Sequence, residues 1–170
     1  QTTRDMAHKF RTILRDVLTL SKAHESLKNE TTDIPRDSAR LGKLAGQQQM
    51  LQDQLTQTMA NTMELSRGTF LVSPEMGQKL GMSFAQMNAS KGQLAERNGN
   101  GSLGNQNQAM LALNEGAKTI IQTIQQMQES GSASGYEEFL KRMEEMTRNQ
   151  QNLNDQGMQL ALGQMAASMK

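Results

Sequence analysis

Two histidines, one serine in a nucleophile-like pentapeptide, a glycine-rich stretch, clustered carboxylates and 14 methionines are the residues with chemistry to offer in this chain. His8 and His24 fall on one predicted helix, 16 residues apart, so about 24 Å separates their backbones. They cannot share a metal within one chain, and each is expected to be solvated or at an edge. Cysteine is absent, which excludes disulfides and thiolate metal sites. Gly81-Met82-Ser83-Phe84-Ala85 resembles a nucleophile elbow, but that motif sits on a strand-to-helix turn, and Ser83 is predicted mid-helix. Gly99-Asn100-Gly101-Ser102-Leu103-Gly104 matches GxGxxG and precedes a helix. A dinucleotide site needs a strand before it inside a βαβ unit, so here the pattern reads as a helix–helix turn.

The methionines pose a sharper question. Met59/Met63 and Met143/Met146 have same-face spacing, and thioethers hold Cu(I). Most Met residues, however, lie on predicted core stripes, where this flexible side chain fills irregular gaps. Core filling is the reading, with an adaptable Met-rich binding face as the alternative. Glu137, Glu138, Glu144 and Glu145 are interleaved with Lys141, Arg142 and Arg148. Glu137/Lys141 and Glu144/Arg148 are i,i+4 pairs in the favourable order, which makes a solvated helix face rather than an acid–base pair. Lys9, Arg11 and Arg15 alternate with Asp5 and Asp16 and make no nucleic-acid stripe. With 18 Lys+Arg against 17 Asp+Glu, nothing in the charge balance calls for a polyanion.

The elements that would carry these residues are helices. Of 170 residues only 2 are Pro, 21 are Gln, aromatics are 3%, and no stretch alternates with period two. Hydrophobic residues are 35%, low for a compact globule, so periodicity has to argue for order. Met6, Phe10, Ile13, Leu14, Val17, Leu18 and Leu20 predict a helix over 3–29, broken by Thr31, Thr32, Asp33 and Ile34-Pro35. Pro35 fits the first turn of a second helix over 36–67, striped by Leu41, Leu44, Leu51, Leu55, Met59 and Met63, with Gln48 and Thr58 interrupting. Residues 69–72 form an apolar connector over a bundle end. Ser73-Pro74-Glu75 opens a third helix over 74–97 carrying Met76, Leu80, Phe84, Met87 and Leu94. A fourth over 105–130 presents Met110, Leu113, Ala117, Ile120, Ile121, Ile124 and Met127. After Gly131-Ser132-Ala133-Ser134-Gly135, a fifth over 135–166 repeats Phe139, Met146, Leu153 and Leu160 every seven residues, joined by Met143 and weakened at Gln150 and Gly157. Gly42/Gly46 and Gly77/Gly81 leave bare patches that permit close helix approach, or are merely tolerated.

Three stretches carry a family resemblance: MELSRGTFLVSPEMGQKLG from Met63, ALNEGAKTI from Ala112, and SGSASGYEEFLKRMEEMTRNQQNLNDQ from Ser130, with LAGQQQMLQDQL from Leu44 leading in. Over roughly Leu41 to Gln164 the chain resembles the C-terminal Gln/Met-rich helical region of an uncharacterised family of large bacterial proteins anchored by N-terminal transmembrane helices. The resemblance implies an extracytoplasmic, periplasmic or envelope location and supplies no catalytic residues.

The expectation is a single all-α domain over 1–170, an elongated antiparallel bundle of about five helices with coiled-coil-like packing. No apolar run approaches the ~20 residues that span a bilayer, so this segment reads as the soluble part of a longer, membrane-anchored protein. Its expected function is non-enzymatic, structural or protein-interacting, with no cofactor, no metal and no nucleic acid. The partner is another protein or a second copy. Leu153, Met158, Leu160, Leu162 and Met165 cover more than one face of the last helix and are the candidate interaction face. The alternative is a bundle holding an apolar molecule or soft metal in a Met/Leu-lined core.

Overall fold

The computed structural model describes residues 3–129, which form four α-helices and their turns, with no strand among the described residues. They are α1 Thr3–Asp33, α2 Leu41–Gly68, α3 Pro74–Ala95 and α4 Gly99–Glu129. The helix expected over 135–166, and with it Leu153, Met158, Leu160, Leu162 and Met165, lies outside the described residues.

The helix ends differ from the sequence expectation in instructive ways. α1 runs through Thr31 and Thr32 because their hydroxyls turn back onto its own carbonyls, Thr31 Oγ1 to Leu27 O at 2.8 Å and Thr32 Oγ1 to Lys28 O at 2.9 Å. It stops where Pro35 disfavours helical backbone at Ile34. The Arg36 guanidinium then donates to the carbonyls of Thr31 and Thr32, each at 3.2 Å, and so caps the last turn. Pro35 does not open α2. Residues 35–40 form turns, in which Ser38 N–H donates to Pro35 O and Ser38 Oγ accepts from Arg40 N–H. The helix starts at Leu41, a fully buried side chain.

Ser73 caps α3 as expected, accepting from Met76 N–H at 3.2 Å with Pro74 in the first turn. At its other end Arg97 takes a left-handed conformation, φ 58°. Arg97 N–H donates to Leu94 O and Asn98 N–H to Gln93 O, the paired bonds of a Schellman turn. Asn98 then caps α4, its Oδ1 accepting from Gly101 N–H at 2.9 Å. The glycine-rich stretch expected to be a loop is therefore the first turn and a half of α4.

The helices contact one another in a ring, α1 with α2, α2 with α3, α3 with α4 and α4 with α1. Contacting residues run in opposite numerical order across α1 and α4, where Ser21 meets Asn114 while Lys28 meets Asn107. Gln48 likewise meets Ser90 while Gln52 meets Asn88. The core threads one stripe per helix: Phe10, Val17 and Leu20 from α1, Leu44, Leu51 and Leu55 from α2, Met76, Leu80 and Met87 from α3, Leu113, Ile120 and Ile124 from α4. Each such side chain contributes about 1.5–3 kcal/mol by leaving water. Leu71 and Val72 of the α2–α3 connector pack onto this core. Three residues assigned to stripes face outward instead, Leu18, Met63 and Ile121. They lie one residue to the wrong side of stripes already filled by Val17, Thr62 and Ile120. Gly42, Gly46, Gly77 and Gly81 do not mediate close helix packing, since a Cβ at each would meet nothing within 4 Å.

Candidate functional site

Each helix places polar residues at core positions. His24 follows Val17 and Leu20 on the buried stripe of α1. Gln48 lies between Leu44 and Leu51 on α2, and Ser90 between Met87 and Leu94 on α3. All three are completely buried. They meet in one layer: Gln48 Nε2 lies 2.9 Å from His24 Nε2, and Ser90 Oγ donates to Gln48 Oε1 at 2.8 Å. Gln48 thus ties α1 to α3 through α2. With the amide donating, His24 Nε2 accepts and its proton sits on Nδ1, which has no hydrogen-bond partner.

Protonating the imidazole would place an unpaired charge in an apolar layer. Burial accordingly pushes His24 down from 6.5 to about 4, against a smaller upward pull from the Gln48 bond. This overturns the expectation of a solvated or edge histidine. His8 is exposed and lines a shallow surface cleft with Arg4, Asp5, Lys9 and Arg11.

A second layer lies seven residues further along α1, near its C-terminal end. Gln106 Nε2 donates to Thr31 Oγ1 at 3.1 Å, both residues being fully buried. Around these, Ser21 Oγ donates to Asn114 Oδ1 at 2.8 Å, Gln52 Nε2 to Asn88 Oδ1 at 3.2 Å and Lys91 Nζ to Gln49 Oε1 at 2.7 Å. Every seam of the bundle carries a polar tie, α3 to α4 through Ser83 Oγ on Ala109 O at 2.9 Å.

This arrangement fixes helices rather than transferring protons. An amide stands between the His24 imidazole and the Ser90 hydroxyl, so the histidine cannot take that hydroxyl's proton directly. Ser83 spends its proton on a backbone carbonyl inside the bundle, not at an elbow. The GxGxxG stretch is likewise used up: Gly99 N–H donates to Arg36 O at 2.9 Å and Gly101 N–H to Asn98 Oδ1, so these first-turn donors are not turned to a phosphate. Met59 packs against the core while Met63 is 62% exposed, so this pair does not converge on a metal. No group of three or more His, Asp or Glu among the described residues is placed to hold a metal ion, and no described helix is long and apolar enough to cross a membrane.

Sequence reasoning missed His24, Gln48 and Ser90 as a set. The signal was their phase: Gln48 was read as interrupting a stripe, yet it keeps the stripe's spacing, as does His24 seven residues after Val17. No known protein family matches the chain, and neither does any curated protein or solved structure.

Proposed function

We propose that this chain is a non-enzymatic structural and protein-interaction module, an antiparallel helical bundle completed by a fifth helix over 135–166. The observation that carries this reading is the surface left by a closed core. Leu18, Leu111 and Ile121 on α1 and α4, and Met50 and Met63 on α2, stay exposed although the four-helix interior is already filled. The opposite numerical order of the contacts across the α1–α4 and α2–α3 pairs supports the up-and-down arrangement. The working surface is assigned to the last helix, where Leu153, Met158, Leu160, Leu162 and Met165 cover more than one face. Its place as the soluble part of a membrane-anchored, extracytoplasmic bacterial protein rests on the resemblance of the stretches between Leu41 and Gln164.

The test is mass in solution across a concentration series, by size exclusion with light scattering. A dimer that the Leu162→Glu/Met165→Glu variant loses while keeping its helical circular dichroism is the expected result. A dimer unaffected by that variant would remove the assigned face. The alternative, an apolar ligand or soft metal held among Met and Leu, gains little from Met76, Met87 and Met127, which serve as fully packed core. A bound species in the native mass spectrum of purified protein would revive it.

A further inference from the structure

Lys9, Arg11 and Arg15 alternate with Asp5 and Asp16 along the sequence, but the helix sorts these charges onto two lines. Arg4, His8, Arg11, Arg15, Leu18 and Lys22 follow one another at steps of four and three residues, and each is exposed. They form the outer ridge of α1, opposite its buried stripe of Phe10, Val17, Leu20 and His24. Asp5, Lys9, Thr12 and Asp16 make a second line with the same steps. Lys9 and Thr12 line a cleft with Asn61, Glu64 and Arg67 of α2, so this line is the α2 edge of α1. Its acids directly follow Arg4 and Arg15 and so lie about 100° round from the ridge, with Lys9 between them.

On the other flank, Leu14, Leu18 and Ser21 keep the same steps, and the Ser21–Asn114 bond turns that edge to α4. The register of this seam brings the exposed Lys118 of α4 to the level of Leu18 and adds a cation beside the ridge. Leu14 packs partly on the core, while Leu18 is 46% exposed. Among the described residues Arg4, Arg11, Lys22 and Lys118 form no ion pair. Arg15 meets Asp16 only at 3.8 Å, with its own side chain 75% exposed, so that pair is easily exchanged. Glu25 closes the line beyond Lys22, and Glu129 of α4 falls at the level of Met6. From Arg4 to Lys22 the ridge is about 27 Å long.

We propose that this ridge docks an acidic, amphipathic helix of a partner protein, with carboxylates at the same four-and-three steps and an apolar edge that lies on Leu14 and Leu18. A helix laid along α1 sets its carboxylates on one line against Arg4, Arg11, Arg15 and Lys22, and each guanidinium offers a carboxylate a fork of two donors. Complementary charge brings the two helices together and fixes their register, and the leucines supply apolar contact. The narrowness of the line disfavours broader polyanions. A nucleic-acid duplex carries phosphates to both sides of any contact line, where Asp5 and Asp16 on one flank and Glu129 on the other would face them. A bilayer is flat, and Leu18 is the one exposed large apolar side chain of α1, so the ridge has nothing further to insert. This inference shares with the functional reading only that the partner is a protein, and it adds a surface separate from the last helix.

The probe is a labelled peptide of about 20 residues, rich in Ala and Gln, with Glu at four-and-three steps and Leu along one edge of that line. Its binding to the full-length chain is read by fluorescence anisotropy, beside a scrambled peptide of equal composition whose Glu residues are spread round the helix. The striped peptide is expected to bind at about 20 mM salt, to be released by about 200 mM, and to exceed the scrambled one about tenfold in affinity. Arg11→Gln/Arg15→Gln weakens binding about five- to tenfold, with unchanged circular dichroism. Arg40→Gln/Lys43→Gln removes the same charge from exposed residues at the start of α2 and leaves binding unchanged. Equal binding of the two peptides, equal effects of the two double variants, or no binding of the striped peptide at low salt overturns the proposal. Tighter binding of a DNA duplex, or of phosphatidylcholine vesicles carrying phosphatidylserine, also overturns it and assigns the ridge to that surface. None of these readouts involves Leu162 or Met165, so failure here leaves the dimer test of the functional reading standing, and a strict monomer there leaves this one standing.

Discussion

His24 makes the folded state sensitive to acid in a way that can be separated from every other group. Its imidazole is fully buried with one nitrogen bonded to Gln48, and it protonates at about 4 instead of 6.5. Between those two values the unfolded chain holds a proton on His24 and the folded chain does not. The unfolded state therefore binds more protons, and stability rises with pH across that window. The contribution is fully present above about 6.5, falls as the pH drops, and is gone below about 4. The gap corresponds to about 3 kcal/mol, with a slope of up to about 1.4 kcal/mol per pH unit. That is a large share of the 5–15 kcal/mol typical of a domain. The assay is urea unfolding at several pH values from about 7.5 to about 4.5, for the native chain and for His24→Gln. The substitution keeps an acceptor near Gln48 and removes the titration. Carboxylates and the exposed His8 are common to both proteins, so the difference between the two curves isolates His24. Parallel curves over that range, or a His24 imidazole signal (the one missing from the His24→Gln spectrum) titrating near 6.5 in the folded chain, would refute the reasoning.

Three further predictions follow from local geometry. Gln48→Leu leaves His24 Nε2 and Ser90 Oγ buried without their partner and lowers stability by about 2–4 kcal/mol, read from denaturant unfolding; adding Ser90→Ala recovers part of the loss. Arg97→Gly relieves a left-handed backbone at the end of α3 and stabilises by about 1 kcal/mol, measured the same way. Gly104→Ala, where a Cβ would meet nothing within 4 Å, stabilises α4 by about 0.5–1 kcal/mol. Gly99→Ala destabilises, because its Cβ would press on the Arg36 backbone at 3.0 Å, and thermal melts of the two variants should move in opposite directions.

The all-α character and the core stripes were legible because leucines and methionines recur at helical spacing, and the α3 start because Ser73-Pro74-Glu75 is a local cap that needs no tertiary partner. The boundaries that went astray depend on contacts far away in sequence. Gly99 starts a helix because Asn98 caps that helix and Arg36, some sixty residues earlier, accepts the Gly99 N–H. α2 starts late because Arg36 is bent back to cap α1. The polar layer was invisible to a reading that treats core positions as apolar ones. Both ends of the buried Gln48 amide find partners, and those partners are on two other helices.

That layer also explains how a chain with 35% hydrophobic residues and 21 Gln selects one alignment of its helices. Leucine and methionine stripes are nearly degenerate: sliding one helix by seven residues, about 10 Å, still sets apolar against apolar. The same slide would pull His24 from Gln48 and Gln106 from Thr31, leaving buried amides and an imidazole unpaired at about 1–3 kcal/mol per group. Polar contacts of modest net strength thus decide register, because their loss is costly in every alternative. Register in turn decides the surface. The Ser21–Asn114 and Lys28–Asn107 bonds set Leu18 of α1 at the level of Lys118 on α4. The buried polar layers and the pattern of exposed residues are two consequences of one alignment, and a substitution deep in the core at Gln48 should therefore loosen the alignment of α1, α2 and α3 and change what their outer faces present.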